Sequence, residues 1–379
     1  MQKCRLFIVL AVLVFGGLFF LTSYGIGRCA EPIRLGFAGP LSGQLSSYGI
    51  SSLRGVELAI EEANNGGGIM GRLVDLYVED DMCLPKDASI RASKMVVRDV
   101  HAVIGHICSG ATRAALDIYR KAEIITVSPS ATHPELTQSG DYPNFFRTIA
   151  SDDVQARVQI SFVRDVLKLK KIVVLHDMTA YGKGLSEILK TVLHNNGRSE
   201  LVFHQGIPPG TIDYSPIVQK LIKTQADVVI YGGYHPQASK IISQMRMKKM
   251  KTIFVSGDGI KNKAFIVSTG KFAKGVYATA PKDTSNLPKA IAAIDAYKKA
   301  YGTYPDAFFL NAYAAADIIM TAIQKAGSTN YTTVLKVLKS VHVDTVMGKI
   351  SFDERGDAIG PDLGFSVYRI EMGKFVEVN

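Results

Sequence analysis

Residues 101–136 constrain this chain more than any other stretch. They read HAVIGHI, CSGAT, RAALDIYRKAE, IITVSPS and ATHPEL. An apolar run ends in small hydroxyl residues. A helical pattern follows through Ala114, Ala115, Ile118, Tyr119 and Ala122, and a second apolar run ends as the first did. Short apolar runs bounded by polar turn residues read as buried strands, and the 3.6-residue spacing between them reads as a helix. The unit is strand–helix–strand, with two polar strand ends side by side. In open α/β sheets, ligands lie beyond the carboxyl ends of the strands. Here those ends carry Ser109, Thr112, Ser130 and Thr132, next to backbone N–H groups left unpaired where a helix begins. Helix N-termini attract carboxylates and phosphates. The pattern points to a site for a small anion or zwitterion, with no catalytic group in it.

The same alternation extends in both directions. Strands are predicted over 33–38 and 73–78 and helices over 50–63 and 87–99, with Pro85 tolerated in a first helical turn. Residues 33–128 therefore predict a parallel sheet with helices on both faces. A strand-like NFFRTIA and a helix through Val154, Val158, Phe162 and Val166 lead into a second series. Its strands are expected over 171–176, 201–203, 227–231 and 252–255, and its helices over 185–193, 217–223 and 238–247. From Pro288 the chain turns helical (290–300, 308–326, 333–339), and it ends in strands near 347–352 and 365–368. Tyr48-Gly49, a helix and Asn64-Asn65-Gly66 in the first series are echoed by Tyr181-Gly182, a helix and Asn195-Asn196-Gly197 in the second. Two lobes of like topology would produce this echo. No Pro/Gly/Ser linker separates them, so several crossings are expected.

A chain of 379 residues is too long for one ordinary domain, and 47% apolar with 21% charged residues supplies a full core. Residues 1–30 are set aside as a secretory signal: Lys3 and Arg5, then an apolar run over 6–21, then a small polar stretch. That run is shorter than the roughly 20 residues needed to span a bilayer. An uncleaved anchor is the competing reading, and Arg28 argues against a lipid-modified Cys29. Losing Lys3, Arg5 and Arg28 lowers the net charge from +10 to +7. The basic residues are scattered. The densest group, Lys248, Lys249 and Lys251, reads as a solvated helix end, so no nucleic-acid partner is expected.

Outside that segment and its edge the cysteines are Cys83 and Cys108. In an exported chain two such cysteines favour a disulfide. A metal site would want a spaced histidine pair or Cys-x-x-Cys, and neither is present. Gly66-x-Gly68-x-x-Gly71 matches a dinucleotide fingerprint only formally, because the helix precedes it and the strand follows; it reads as a helix end and turn. His106 reads as structural, and Asp80 and Asp81 as a solvated strand-end pair. No phosphate-binding loop, Gly-x-Ser-x-Gly or His-Glu-x-x-His occurs. Tyr181, Tyr234 and Asp258 each follow a predicted strand of the second series. Facing Ser109 and its neighbours, they would offer an acid for an ammonium opposite donors for a carboxylate, which suits an amino acid.

IRLGFAGPLSG, NNGGGIMGR, DDMCLPK, VIGHICSGAT, SPSATHPELT, YGGYHP and VDTVMG together resemble the bacterial leucine/isoleucine/valine-binding proteins, type I periplasmic binding proteins of ABC importers. The likeness runs in order over about residues 33–370. It implies two Rossmann-like α/β lobes joined by three crossover strands, with the ligand between them. It also implies a signal peptide over 1–30, an N-terminal lobe of 31–150 plus 283–362 and a C-terminal lobe of 151–282 plus 363–379. By motif, Ser109 and its N–H bind the ligand carboxylate, while Ser130, Ala131 and Thr132 take part in holding carboxylate and ammonium. Asp258 pairs with the ammonium, Tyr181 and Tyr234 close from the second lobe, and Tyr48 and Phe308 line the side-chain pocket. Cys83 and Cys108 match the family disulfide. Gly257-Asp258-Gly259 stands where the family shows Pro-Glu-Gly, and Ser130 is a second departure.

The expectation is a periplasmic, monomeric, non-enzymatic binding protein without cofactor or metal. It captures a branched-chain or other apolar amino acid and delivers it to an ABC transporter membrane permease. An amide- or urea-type solute is the nearest alternative ligand, and a ligand-sensing ectodomain the other class.

Overall fold

Short runs buried on both faces belong in a parallel sheet with helices above and below. Strands β1 (Ile33–Gly39), β2 (Val74–Asp80), β3 (Ala102–Gly105), β4 (Ile125–Ser128) and β5 (Phe145–Arg147) form such a sheet, in the order β2-β1-β3-β4-β5 and parallel throughout. The pleat sorts β1 by parity. Ile33, Leu35 and Phe37 enter the core shared with the helices Ser46–Asn65 and Phe309–Ala326, while Ala38 joins the core under Pro85–Val97 and Ser109–Lys121. The chain is seen in a computed structural model that describes residues 31–196 and 199–378. The expected export signal over 1–30 lies outside the described residues.

The second sheet repeats the plan. β6 (Lys171–His176), β7 (Glu200–Gly206), β8 (Val228–Gly232), β9 (Ile253–Ser256) and β10 (Tyr277–Pro281) run parallel in the order β7-β6-β8-β9-β10. Position for position this is the order of the first sheet, so the sequence echo reflects a repeated topology. A small antiparallel sheet, β11 (Val343–Thr345), β12 (Gly348–Phe352) and β13 (Ala358–Ile359), adds Val343, Ile350 and Phe352 to the core of the first sheet. Finally β14 (Phe365–Glu371) and β15 (Lys374–Glu377) extend the second sheet antiparallel beyond β10. The chain thus passes between the sheets three times, near 148–151, 282–287 and 360–364.

Helix Ser46–Asn65 stops at Gly66, and Gly67 and Gly68 follow with positive φ. A Cβ on Gly68 would lie 2.1 Å from the Arg72 carbonyl oxygen, so the glycine run is a turn, as its order implied. Cys83 and Cys108 form a disulfide with Cα atoms 5.5 Å apart. Asp81 corrects the sequence reading: it is fully buried, not solvated. One of its oxygens lies 2.5 Å from His106 Nδ1, and the other accepts from Cys83 N–H at 2.8 Å. Beneath the disulfide the two strand ends need a polar tie, and His106, whose Nε2 lies 3.1 Å from the Tyr119 hydroxyl, supplies it. Among the described residues no helix is long and apolar enough to cross a membrane.

Candidate functional site

Residues that follow strands of both sheets line one cavity. Ile107 and Ser109 follow β3, Ser130 follows β4 and Tyr48 lies after β1. Tyr181, Tyr234, Asp258 and Gly259 follow β6, β8 and β9, and Phe308 precedes the helix Phe309–Ala326. The space among them is about 270 Å³, part of it open to solvent. Room for a water-sized sphere within it amounts to only about 10 Å³, so in this closed arrangement the walls nearly meet.

On the first side, Ser109 is the opening residue of Ser109–Lys121, after an extended Cys108, so N–H groups without helical partners face the cavity end of the helix. Ser109 Oγ accepts from His133 N–H at 3.4 Å, and Ser130 Oγ donates to the Ile107 carbonyl at 2.7 Å. The N–H groups of Ser130 and Ala131 are both directed to Ser128 Oγ, at 3.3 and 3.0 Å. Ala131 and Thr132 do not line the cavity. Ala131 packs with Leu116, Leu136 and Phe145, and Thr132 Oγ1 is buried without a partner. Thr112, expected at the strand end, instead donates its hydroxyl to the carbonyls of His106 and Cys108. From behind, Arg147, fully buried, donates to the Ala131 and His133 carbonyls at 3.2 and 3.0 Å, and so holds the loop in place.

On the second side, Asp258 is 3% exposed. It accepts from Tyr181 Oη at 2.6 Å and from Gln155 Nε2 at 3.1 Å. Burial raises its pKa, and these two bonds work against the rise. Tyr234 is placed through its backbone, whose N–H donates to the buried Asp177 at 2.9 Å. Its ring centroid lies 5.2 Å from that of Tyr181 and 6.1 Å from that of Tyr48, and Phe308 lies 5.9 Å from Tyr48. Four aromatic rings thus form a wall with π faces for a cation and apolar area for a side chain.

Sequence reasoning missed Asp152, which opens the helix Asp152–Ser161 at the first crossing. Its carboxylate is fully buried, and neither oxygen has a hydrogen-bond partner. Burial pushes its pKa well up, the charge of Asp258 adds to this, and the nearby Thr132 hydroxyl and Arg147 oppose it. Arg147 is already paired with Asp357 at 2.6 Å, so among the described residues neither of these two desolvated acids has an ion-pair partner. Buried charge of this kind calls for a partner. Gln155, Ile107 and Gly259 were also missed. The only signal for Asp152 and Gln155 was their position just past a strand end.

The Ser109 hydroxyl accepts from a backbone N–H, and among the described residues no imidazole is hydrogen-bonded to it. Among the described residues no cluster of histidine, cysteine and carboxylate suits a metal ion.

Two doubly wound halves enclosing a small polar seam with aromatic walls define the class of bilobal solute receptors. A family profile described as "Periplasmic binding protein" matches residues 32–373. A leucine-, isoleucine-, valine-, threonine- and alanine-binding protein of Pseudomonas aeruginosa is 34% identical over 364 residues, 96% of this chain and 94% of its own length. The Leu/Ile/Val-binding protein of Escherichia coli K12 is 35% identical over 88% of this chain and 90% of its own. Among solved structures, the branched-chain amino acid transporter substrate-binding protein of Streptococcus pneumoniae, in complex with isoleucine, matches with a TM-score of 0.81. It is 26% identical, over 92% of this chain and all of that one. The chain belongs to the periplasmic binding protein family, in its branched-chain amino acid binding branch. Membership implies a periplasmic location.

Proposed function

We propose that this protein captures a free amino acid with an apolar, branched-chain side chain and delivers it to the membrane permease of an ABC transporter. One observation carries the reading. The buried Asp258–Tyr181 pair faces the N-terminus of Ser109–Lys121 across one small cavity, offering opposite electrical ends to a zwitterion. Ser109 and the helix N–H groups take the carboxylate, Asp258 takes the ammonium with Asp152 deepening the negative potential, and Tyr48, Phe308 and Ile107 receive the side chain. Thr132 and the backbone of Ser130 and Ala131 shape the loop between the charged ends. The ligands in the names of the relatives support this choice.

The halves 31–150 plus 283–362 and 151–282 plus 363–379 act as two lobes that close over the solute, the hinge mode known for periplasmic binding proteins as a class. A ligand touching both lobes favours closure by its differential affinity, and the permease reads the closed monomer. Residues 1–30 direct export.

The test is calorimetric titration of protein unfolded and refolded to strip carried-over ligand, against the twenty amino acids, an amide series and urea. Binding of leucine, isoleucine or valine well ahead of the rest is expected. Binding of an amide or urea alone, or of nothing, overturns the reading.

A further inference from the structure

Tyr48 stands in the first turn of Ser46–Asn65, packed into the core of the first sheet. The hydrogen-bond partners of its hydroxyl all come from the opposite half. The phenol O–H donates to the Gly259 carbonyl at 2.6 Å, Asn262 Nδ2 donates to the phenol oxygen at 2.6 Å, and His235 Nδ1 lies 2.8 Å away. A phenol has one hydrogen and two lone pairs, so the set closes when the imidazole carries its hydrogen on Nδ1 and donates it. The oxygen then has no capacity left for a solute, which meets only the ring.

The partners are themselves fixed. Asn262 caps Lys263–Thr269, its Oδ1 accepting from Phe265 N–H at 2.7 Å. The Lys263 N–H donates across the seam to the Asp306 carboxylate at 3.1 Å. His235 opens the helix His235–Met247, and its ring centroid lies 5.4 Å from that of Tyr48. Tyr48, His235 and Asn262 are all at most 5% exposed, so water does not compete for these bonds. They form only when the halves meet, and parting the halves breaks them all together.

We propose that the Tyr48 hydroxyl, His235 and Asn262 are a closure latch: their cross-seam hydrogen bonds raise the closed population whatever solute is present, while only the Tyr48 ring, and none of these polar groups, meets the solute. The inference deepens the amino-acid reading above and relies on it for what closure achieves. A latch of this kind acts through the open–closed balance, so its loss weakens every ligand by one common factor.

The test pairs small-angle scattering of ligand-free protein with calorimetry, using Tyr48→Phe, which keeps the ring, and His235→Phe, which removes the donor. Both variants should show a larger ligand-free radius of gyration than the unaltered protein. They should bind leucine, isoleucine, valine and alanine weaker by the same factor, about five- to thirtyfold. An unchanged radius in both variants overturns the latch. So does a loss that differs tenfold between side chains, since that marks direct contact with the solute. If the unaltered protein binds no amino acid, the functional reading fails, and the scattering comparison still decides the latch.

Discussion

Tyr181 and Asp258 meet end to end, the phenol donating to the carboxylate at 2.6 Å with both side chains at most 3% exposed. A buried carboxylate with two neutral donors and no buried cation paired to it is stable only at a penalty. Asp258→Asn keeps the shape and one acceptor and removes the charge. The ligand-free variant should therefore melt at the same temperature as the parent, or higher. Affinity for a zwitterion should fall by about 2–5 kcal/mol, the loss expected when a buried ion pair is cut on one side. Calorimetry and thermal melting together check this. A variant that loses melting temperature as well as binding would show that Asp258 holds the fold and not the ligand.

Proton linkage follows from the same pair. Burial raises the carboxyl of Asp258, and raises that of Asp152 well above the ordinary value. A group whose folded pKa is raised stabilises the fold below its unfolded pKa, and that contribution is lost as pH rises through the folded value. On the proposed pairing of Asp258 with the solute's ammonium, ligand binding has the opposite sign, because that pairing needs Asp258 ionised. From the neutral side down to the ordinary carboxylate range, the ligand-free fold gains from these two acids while affinity declines. Binding in that window should release a proton, so the calorimetric enthalpy should vary with the ionisation enthalpy of the buffer. The variation should shrink in Asp258→Asn, which separates it from other shifted groups such as Asp177 and Asp80. Enthalpies independent of buffer in the parent protein would contradict the assignment.

The disulfide closes a separation of 25 residues and fixes Cys108, the residue before Ser109. On the chain-entropy account a loop of that length stabilises by about 3–4 kcal/mol. Cys83→Ser with Cys108→Ser should lower the urea midpoint accordingly and weaken the ligand, because the start of the helix Ser109–Lys121, proposed above to take the carboxylate, loses its tether. Alkylation of unreduced native protein should modify neither cysteine. Modification of both would show that the bridge does not form.

Much of the fold was legible because its strands are apolar on both faces and its helices keep a 3.6-residue period. β3, β4, β6 and β8 announced themselves in this way. β10 did not: its Ala278, Thr279 and Ala280 are small, and it ends at Pro281, so it lacks the β-branched run that marks a buried strand. β15 is short and largely exposed. Topology alone places strand ends together, so that Ser109, Ser130, Tyr181, Tyr234 and Asp258 line one cavity could be read in advance. The Tyr-Gly echo also has a physical cause. A Cβ on Gly49 would lie 1.8 Å from the Pro40 carbonyl oxygen, and one on Gly182 would lie 2.3 Å from Asp177. Each glycine lets the first helix of its half start close against the strand ends, which carries the adjacent tyrosine into the seam. Asp152, His235 and Asn262 acquire their roles only where one half meets the other. No local period encodes that meeting, so nothing in the sequence singled them out.

Arg147 ends β5 and holds three parts of the site at once. Nε donates to Asp357 at 2.6 Å, Nη1 to the carbonyls of Ala131 and His133, and Nη2 to Thr137 Oγ1 at 2.8 Å. Asp357 belongs to the segment that leads into the third crossing, so the loop through Ala131 and His133 is tied to the region where the halves join. Arg147→Met takes the guanidinium from Asp357, which keeps only the Thr137 hydroxyl at 3.2 Å, and from the Ala131 and His133 carbonyls, of which His133 keeps the Leu136 N–H at 3.2 Å; it should destabilise by about 3–5 kcal/mol. Adding Asp357→Leu removes the stranded carboxylate, and an apolar pair of similar volume can replace a buried ion pair with little loss. The double variant should therefore regain much of the urea midpoint. It should not regain affinity, because the Ala131 and His133 carbonyls still lack the donor that positions the loop beside Ser109. Arg147→Lys should fall between the two in stability, one ammonium being unable to span the fork of acceptors a guanidinium reaches. If affinity returned in step with stability in the double variant, Arg147 would be a strut of the fold alone.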